Sequence, residues 1–348
     1  MHPPSAPVVP AAIVTAARQA AEASMADGVP AVQVAVSHRG STIYSEAFGT
    51  TDKESATAAT PRSVMQVGSL TKQFTAAAIL RLAERGALTL DDRIEKFVPD
   101  FNPRGATITL RQLLSHTSGV RREWFPPGPP WISLTAPVTR EQTIQGLNSG
   151  PLLDFTPGTK WSYSNGGYML LGLAIESITG RPYADFIQSE LALPLGLIDT
   201  GVCGTSNLPV PEGYGQPVAT WVRMPPFHTS VVRYSGGLCS TASDLARWAH
   251  LLATGHAMLP ASYATMSTRA KLANNTLVAY GLGLEVKTVL GRPAVLHGGA
   301  INGFQSFLVY FPEQDLAVAV VTNAFPAPAG GNPQYVALAV AQAALASL

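Results

Sequence analysis

A serine and a lysine three residues apart, Ser69 and Lys72, are the strongest candidates for chemistry in this sequence. They begin an apolar stretch without helix breakers, so the spacing places both side chains on one face of a predicted helix. A serine hydroxyl is a weak nucleophile that needs an adjacent base, and a lysine can serve once burial or nearby positive charge removes its proton. Unpaired N–H groups at the helix N-terminus suit an oxyanion. A helix-capping serine beside a solvated lysine would, however, show the same spacing.

Two further segments carry polar groups where the predicted secondary structure changes. Tyr163-Ser164-Asn165 lies at a boundary between a loop and a helix, where an aromatic anchor with an asparagine cap is the ordinary interpretation. His297-Gly298-Gly299-Ala300 directly follows a short apolar strand, Ala294-Val295-Leu296. Glycines weaken a strand, and the usual reason to keep them is close approach of another backbone or a ligand. A glycine-rich turn after an edge strand is the alternative.

Taken together and in this order, the three segments resemble the serine β-lactamase and penicillin-binding protein superfamily, whose signature is S-x-x-K with two partner motifs. The form is most similar to the class C β-lactamase-like branch, which includes D,D-peptidases, D-amino-acid peptidases and amidases, and family VIII carboxylesterases. There the second motif is Y-x-N, matched by Tyr163 and Asn165, and the third is K-T-G or H-x-G, matched by His297-Gly298-Gly299. Other segments resemble the branch as well, from about residue 30 to the end: Leu113-Leu114-Ser115-His116-Thr117-Ser118-Gly119, Pro157-Gly158, Ser235-Gly236-Gly237-Leu238 and Ser240-Thr241-Ala242-Ser243-Asp244-Leu245.

The resemblance implies an acyl-enzyme mechanism. Ser69 would attack an acyl carbonyl while Lys72 and Tyr163 share its proton, and the sequence leaves open which of the two accepts it. The backbone N–H groups of Ser69 and Ala300 would hold the oxyanion. Asn165 would orient Lys72 and contact the acyl side chain. Water or another acceptor would then release the acyl group.

The third motif departs from that of true β-lactamases. In those enzymes a lysine and a threonine bind the substrate carboxylate, and here the two positions hold His297 and Gly298. A neutral imidazole without an adjacent hydroxyl offers at most one donor, so carboxylate-bearing antibiotics should bind poorly. We therefore predict a serine hydrolase of esters or peptide-like amides with weak or no β-lactamase activity. The alternatives are a transacylase using the same site, a β-lactamase or D,D-peptidase proper, and a non-catalytic penicillin-binding-like protein.

Composition and absent motifs exclude several other functions. The 23 Lys and Arg residues balance 22 Asp and Glu, without the basic excess of nucleic-acid binding proteins. The sequence contains no H-E-x-x-H, no P-loop and no G-x-G-x-x-G motif, and its seven histidines lack ligand spacing. We therefore predict no metal, no cofactor and no nucleic-acid partner. The expected partner is a small-molecule ester, amide or peptide substrate, and the oligomeric state stays open.

The compartment also stays open. No stretch approaches the 18 or more apolar residues that a spanning helix needs, so no membrane span is predicted. Residues 1–7 lack the features of a signal peptide, which leaves a periplasmic or secreted protein whose signal peptide is already removed, or a cytoplasmic one. Cys203 and Cys239 are too few for a disulfide framework and lack metal-ligand spacing. We interpret them as small buried side chains, and the sequence leaves open whether they are bonded.

Strand and helix signals are segregated along the chain. A helix over 11–26 and a hairpin over 32–48 come first, and strands return at 282–286, 294–296, 304–311 and 316–321 before a final apolar helix at 336–348. Helical patterns between them begin near Ser69 and recur at 110–114, 167–178, 183–191 and 243–252. We predict an α/β (α+β) fold of the β-lactamase/D,D-peptidase type, an antiparallel sheet flanked by helices with an inserted, mostly helical lobe. The sheet lobe would comprise 1–60 plus 275–348 and the helical lobe 61–274, with the active site in the cleft between them.

Two smaller predictions concern residues near this cleft. His116 precedes Thr117-Ser118-Gly119 at a helix end, and we interpret it as a turn-fixing residue outside the site. The proline-rich tract from Trp124 to Trp131 is predicted to be a rigid loop over the cleft. Five aromatic residues are candidate pocket walls that would equally suit core packing: Trp124, Phe125, Trp131, Tyr234 and Phe304.

Overall fold

The computed structural model describes residues 9–125, 133–150, 153–204, 208, 210–216 and 220–348. Predictions about residues 1–7, Trp131 and the prolines at 126–130 therefore lie outside the described residues. Within these ranges, no helix has the length and apolar character needed to cross a membrane.

The largest element is a seven-stranded antiparallel sheet to which both ends of the chain contribute. Its strand order is β3-β2-β1-β12-β11-β10-β9, so the first strands pair directly with the last ones. Strands β1 and β12 lie in the centre and are buried on both faces, which explains their nearly continuous runs of valine and alanine. The strands of this sheet are β1 (Ala31–His38), β2 (Ser41–Asp52), β3 (Thr57–Ala58), β9 (Glu285–Val289), β10 (Arg292–Ile301), β11 (Phe304–Phe311) and β12 (Leu316–Thr322). Short strands form two smaller sheets: β4 (Met65–Gln66), β5 (Gly201–Val202) and β8 (Leu238–Ser240) in one, β6 (Gly213–Gly215) and β7 (Val222–Met224) in the other.

Helices cover both faces of the large sheet. Alternate residues of β1 point to opposite faces, so Val32, Val34 and Val36 pack with helices α1 and α10, whereas Ala31 and Ala35 face the helical part of the chain. Helix α8 packs on β1 and β12 from that second side. The helices are α1 (Ala11–Ala26), α2 (Thr71–Glu84), α3 (Leu110–Leu114), α4 (Arg140–Asn148), α5 (Asn165–Thr179), α6 (Tyr183–Ile187), α7 (Thr229–Gly236), α8 (Ala242–Ala253), α9 (Pro260–Met266) and α10 (Pro333–Ser347).

The predicted fold class, an antiparallel sheet flanked by helices, is confirmed. One strand begins later than predicted: the pattern at 282–286 indicated a strand, but β9 starts only at Glu285. Gly283 has φ +79, which is left-handed backbone, and an added Cβ there would lie 2.8 Å from the Lys72 carbonyl oxygen. The chain therefore turns tightly behind α2 before it becomes extended. The assignment of 1–60 plus 275–348 and 61–274 to two lobes stays a prediction.

The two cysteines are bonded to each other. Cys203 and Cys239 are both buried, as predicted, and they form a disulfide with a Cα–Cα distance of 5.1 Å. The bond joins the end of β5 to the paired strand β8, and β8 in turn pairs with β4 directly before Ser69. The structure thus answers the question of bonding that the sequence left open. Bonding depends on the separation of two residues that are 36 positions apart, and the sequence contains no measure of that distance.

Candidate active site

Ser69 lies on a single 3₁₀ turn, Gly68–Leu70, directly before α2 rather than on the helix itself. The turn is held from behind because the Val67 amide donates to Leu238 O at 3.0 Å, and the Leu238 amide donates to Thr71 Oγ1 at 3.0 Å. Every residue of α2 from Thr71 to Leu80 is buried. The candidate nucleophile is thus presented by a rigid, tightly packed segment.

Lys72 is completely buried and is the second residue of α2, one helical turn after Ser69. Its Nζ lies 3.2 Å from Ser69 Oγ, 2.8 Å from Asn165 Oδ1 and 2.8 Å from the Ser235 carbonyl oxygen. Burial lowers the pKa of Lys72 well below its ordinary value of 10.5, against the opposing attraction of Glu123. Carbonyl oxygens can only accept, so the two N–H groups of a neutral amine would satisfy Asn165 and Ser235. The amine lone pair would then face Ser69 Oγ and could accept its proton.

The hydroxyl of Tyr163 is buried and has no hydrogen-bond partner among the described residues. Burial raises the pKa of this phenol and outweighs the proximity of Ser69, which lowers it, so the neutral hydroxyl is favoured over tyrosinate. Lys72 Nζ lies 4.7 Å from the centre of the Tyr163 ring. A buried polar atom without a partner is uncommon, and at a cleft it indicates a group that a bound molecule could complete.

The segment from Tyr163 to Asn165 is fixed at the start of α5. The residue that caps α5 is Ser164 rather than Asn165, since its Oγ accepts from the Gly167 amide at 2.9 Å. This leaves the Asn165 side chain available for the site. Its Oδ1 faces Lys72, while its Nδ2 donates to the two carboxylate oxygens of Glu123 at 3.1 and 3.3 Å. The pairing with Glu123 therefore fixes which end of the Asn165 amide faces the lysine.

Strand β10 brings the third predicted segment against the nucleophile. Beyond Leu296 the edge of β10 is not paired with β9, and the Gly68 backbone approaches it so closely that an added Cβ would lie 2.8 Å from Ala300 N. The Ser306 hydroxyl donates to Val67 O at 2.8 Å and ties β11 to the same segment. Ser69 and Ala300 therefore lie on neighbouring stretches of backbone, and both line the cleft.

His297 is part of β10 but is only 3% exposed. Its Nδ1 lies 2.6 Å from the Gly298 carbonyl oxygen, and its Nε2 lies 2.9 Å from the Tyr280 hydroxyl. Burial lowers the pKa of His297 to about 3. Both ring nitrogens thus have protein partners.

The predicted site residues therefore meet in one cleft, between β10 and the N-terminal ends of α2 and α5. Residues 17–341 match the Beta-lactamase family. The chain belongs to this family. The predicted resemblance to the serine β-lactamase and penicillin-binding protein superfamily is confirmed.

Three similar proteins match this chain over most of its length. Penicillin-binding protein 4* of Bacillus subtilis is 28% identical over 302 residues, covering 82% of this chain and 66% of that protein, so the chain spans just under two thirds of its relative. A D-stereospecific amidohydrolase from Streptomyces sp. has 29% identity and a TM-score of 0.77, covering 92% of this chain and 96% of its own. The D-amino acid amidase from Ochrobactrum anthropi SV3, complexed with D-phenylalanine, has 25% identity and a TM-score of 0.83, covering 97% and 100%.

In this Beta-lactamase family member the cleft has two adjoining arms that meet at Ser69, Arg122, Asn165 and Ala300. The apolar arm has a volume of about 470 Å³ and also contains Glu123. The polar arm has a volume of about 370 Å³ and contains Tyr163. Lining the apolar arm are Trp124, Phe125, Leu134, Phe227, Val231 and Ile301. Lining the polar arm are the predicted residues His297, Gly298 and Gly299, together with Glu285, Gln305, Ser306, Phe307, Asn332 and Gln334.

Sequence reasoning missed two charged residues in this cleft. Arg122 and Glu123 lie 3.5 Å apart, and the Arg122 carbonyl oxygen accepts from the Asn165 amide at 2.7 Å, which anchors the pair to α5. No motif in the sequence marks either residue. Trp124 and Phe125 do line the cleft as predicted, whereas Tyr234 and Phe304 lie in the core.

The described residues contain no group of three or more His, Cys, Asp or Glu side chains suited to holding a metal ion.

Proposed function

We propose that this protein is a serine hydrolase that forms an acyl-enzyme on Ser69 and hydrolyses amides or esters. The observation that supports it best is the buried Lys72 amine, whose two carbonyl partners leave its third position directed at Ser69 Oγ. A helix-capping serine beside a solvated lysine would need none of these contacts. The similar amidohydrolase and amidase, named above, support amides as substrates.

In this proposal Lys72, rather than Tyr163, takes the proton of Ser69. The lysine has the hydrogen-bonding distance to Ser69, and burial favours its neutral form. Tyr163 passes its hydroxyl proton to the leaving group and takes up in exchange the proton that Lys72 received from Ser69, so lysine and tyrosine both end neutral, as burial favours. The N–H groups of Ser69 and Ala300 stabilise the oxyanion.

The position of Tyr163 also orients the substrate. Tyr163 lines only the polar arm, so a leaving group that takes its proton occupies that arm. The acyl group then occupies the apolar arm, beside Trp124, Phe125 and Glu123. Substrates with an apolar acyl side chain and a polar leaving group, such as an amine, suit this arrangement.

Glu123 narrows the substrate class further. Its carboxylate is 40% exposed, lines the acyl arm and already accepts from Asn165 Nδ2. A cationic α-amino group on the acyl residue would meet this carboxylate, and such charge-assisted hydrogen bonds are among the strong ones. We therefore propose amides of apolar amino acids with a free α-amino group, in the D configuration that the names of the two similar enzymes specify.

Labelling with a fluorophosphonate tests the acyl-enzyme. We expect one covalent adduct, mapped by mass spectrometry to the peptide containing Ser69, and none in Ser69→Ala. The same preparation is assayed with D- and L-phenylalanine amide, p-nitrophenyl esters and a chromogenic cephalosporin. The cephalosporin should be a poor substrate, and an added amine acceptor distinguishes hydrolysis from acyl transfer. An adduct elsewhere, or Ser69→Ala with undiminished hydrolysis, would contradict the proposal.

Glu123→Gln tests the ammonium subsite. Glutamine keeps an acceptor for Asn165 but removes the negative charge. We expect the preference in kcat/KM for D-phenylalanine amide over its N-acetyl derivative to fall about 10- to 100-fold, the value of one charge-assisted hydrogen bond. Glu141→Gln, a change in an exposed glutamate of α4, is the matched control. A preference that stays at the wild-type value in Glu123→Gln would rule out this subsite while leaving the hydrolase untouched.

A further inference from the structure

A continuous chain of buried hydrogen bonds connects the second predicted segment of the site to the third. The Ser164 amide donates to His116 Nδ1 at 3.1 Å. His116 Nε2 lies 3.2 Å from the Tyr280 hydroxyl, which lies 2.9 Å from His297 Nε2. His297 Nδ1 lies 2.6 Å from Gly298 O. His116, Tyr280 and His297 are each at most 3% exposed, so water does not compete for these contacts.

The groups at the two ends of this hydrogen-bond series, the Ser164 amide and the Gly298 carbonyl, determine the position of every proton between them. A backbone N–H can only donate, so His116 Nδ1 must carry a lone pair and His116 Nε2 the proton. That proton is donated to the Tyr280 oxygen, and the Tyr280 hydroxyl proton is left for His297 Nε2. Because a carbonyl can only accept, His297 must carry its own proton on Nδ1, facing Gly298 O.

We propose that Tyr280 and His116 are positioning residues that hold His297 as the neutral Nδ1–H tautomer and thereby fix the Gly298 peptide beside the oxyanion donor Ala300. The chain joins the capped start of α5, which carries Tyr163 and Asn165, to β10, which carries Ala300. The hydrogen bonds thus fix the position of the proton-relaying residues relative to the oxyanion donor. The His297 ring lies at the wall of the polar arm, and with this tautomer it has no N–H left for a substrate carboxylate.

The electrostatic surroundings agree with a neutral imidazole. Besides burial, the nearby cation Lys287 opposes a charge on His297. Burial lowers the pKa of His116 well below 6.5, and the positive charge of Arg122 acts in the same direction. The same chain explains why a bulky residue is tolerated at the left-handed position of His116, which has φ +60: its ring fills a buried place between Tyr163 and Tyr280.

Nitrogen-15 NMR of histidine-labelled protein measures the tautomer directly, with the His297 signals identified by their loss in His297→Gln. We expect His297 to be protonated at Nδ1 only, without titration between about pH 5 and 8, where an ordinary histidine changes charge. In Tyr280→Phe the unprotonated nitrogen loses its hydrogen bond, so its resonance shifts. The kinetic expectation rests on the proposed hydrolase: kcat falls about 10-fold with little change in KM, because ground-state binding is retained while positioning is lost.

Tyr263→Phe is the matched control, since it removes a buried tyrosine hydroxyl that has no hydrogen-bond partner in the described ranges. It should leave the His297 spectrum and kcat unaltered. Wild-type His297 protonated at Nε2, or at both nitrogens near neutral pH, would overturn the proposal, and so would Tyr280→Phe with wild-type His297 resonances and kcat. The wild-type spectrum decides even if Tyr280→Phe does not fold, and it does so whether or not the hydrolase proposal holds.

Discussion

Replacing Lys72 by methionine lowers kcat/KM for an amide substrate by about 10³- to 10⁴-fold, the upper part of the range that a positioned general base contributes. Methionine has a similar shape and suits the buried site, but it has no lone pair that can take the proton of Ser69. Replacing Lys72 by arginine is expected to cost as much. A guanidinium keeps its positive charge, so arginine preserves any benefit of charge beside Tyr163 while removing the base.

The arginine variant distinguishes Lys72 from Tyr163 as the group that accepts the Ser69 proton, a question that the sequence left open. If Tyr163 were the base and Lys72 only supplied charge, Lys72→Arg would retain most activity and Tyr163→Phe would lose it for all substrates. With Lys72 as the base, Tyr163→Phe should impair amides far more than p-nitrophenyl esters, whose leaving group needs no proton. Lys271→Arg, a change in an exposed lysine, controls for the substitution itself.

The pH dependence of kcat/KM in the wild-type enzyme tests the protonation state of Lys72 independently. The base must be deprotonated in the free enzyme, so kcat/KM rises with pH as Lys72 loses its proton and then becomes constant. Because burial lowers the pKa of Lys72, this rise should be complete well below the ordinary lysine value of 10.5. A rise that follows the ordinary lysine pKa would contradict a buried neutral amine.

Much of the fold was predictable because it depends on local patterns. The alternating valines of β1 and the uninterrupted apolar run of β12 indicate strands by their period and composition alone. Their pairing across nearly the whole chain follows from the need to bury both. Helix α7 was not predicted, since its eight residues include Gly236 and two serines and carry little helical signal.

The site was predictable only where residue type and spacing carried the chemistry. Ser69 and Lys72 are one turn apart on backbone that runs from a 3₁₀ turn directly into α2, so their proximity follows from local structure. The partners that tune them come from distant positions: the Ser235 carbonyl on Lys72, Glu123 on Asn165, and Tyr280 on His297. A backbone carbonyl has no sequence signature, and a glutamate or tyrosine is too common for its type alone to indicate a role. His116 was correctly assigned to a turn, but its ring also takes part in the hydrogen bonds that brace the site.

Gly299→Ala should reduce kcat by about 10²- to 10³-fold, the cost of losing one oxyanion donor. A methyl group at this position would overlap the Val67 carbonyl oxygen and the Ser306 hydroxyl, which hold β10 and β11 against the turn that carries Ser69. Neither obstacle is the end of a long side chain that could swing away, so the strand must shift. Ala300 N–H would then move out of reach of the oxyanion, although Ser69 and Lys72 keep their own contacts.

The neighbouring glycine provides a matched comparison, because the same methyl group at Gly298 would meet nothing closer than Phe307 Cδ2 at 3.8 Å. We expect the fold reduction of kcat in Gly298→Ala to be less than about a tenth of that in Gly299→Ala, because only Gly299→Ala displaces an oxyanion donor. Fluorophosphonate labelling of Ser69 should slow in parallel with kcat in Gly299→Ala, because phosphonylation uses the same oxyanion donors. Equal activity in the two variants would show that close packing of β10 on the Ser69 turn is not what positions the Ala300 amide.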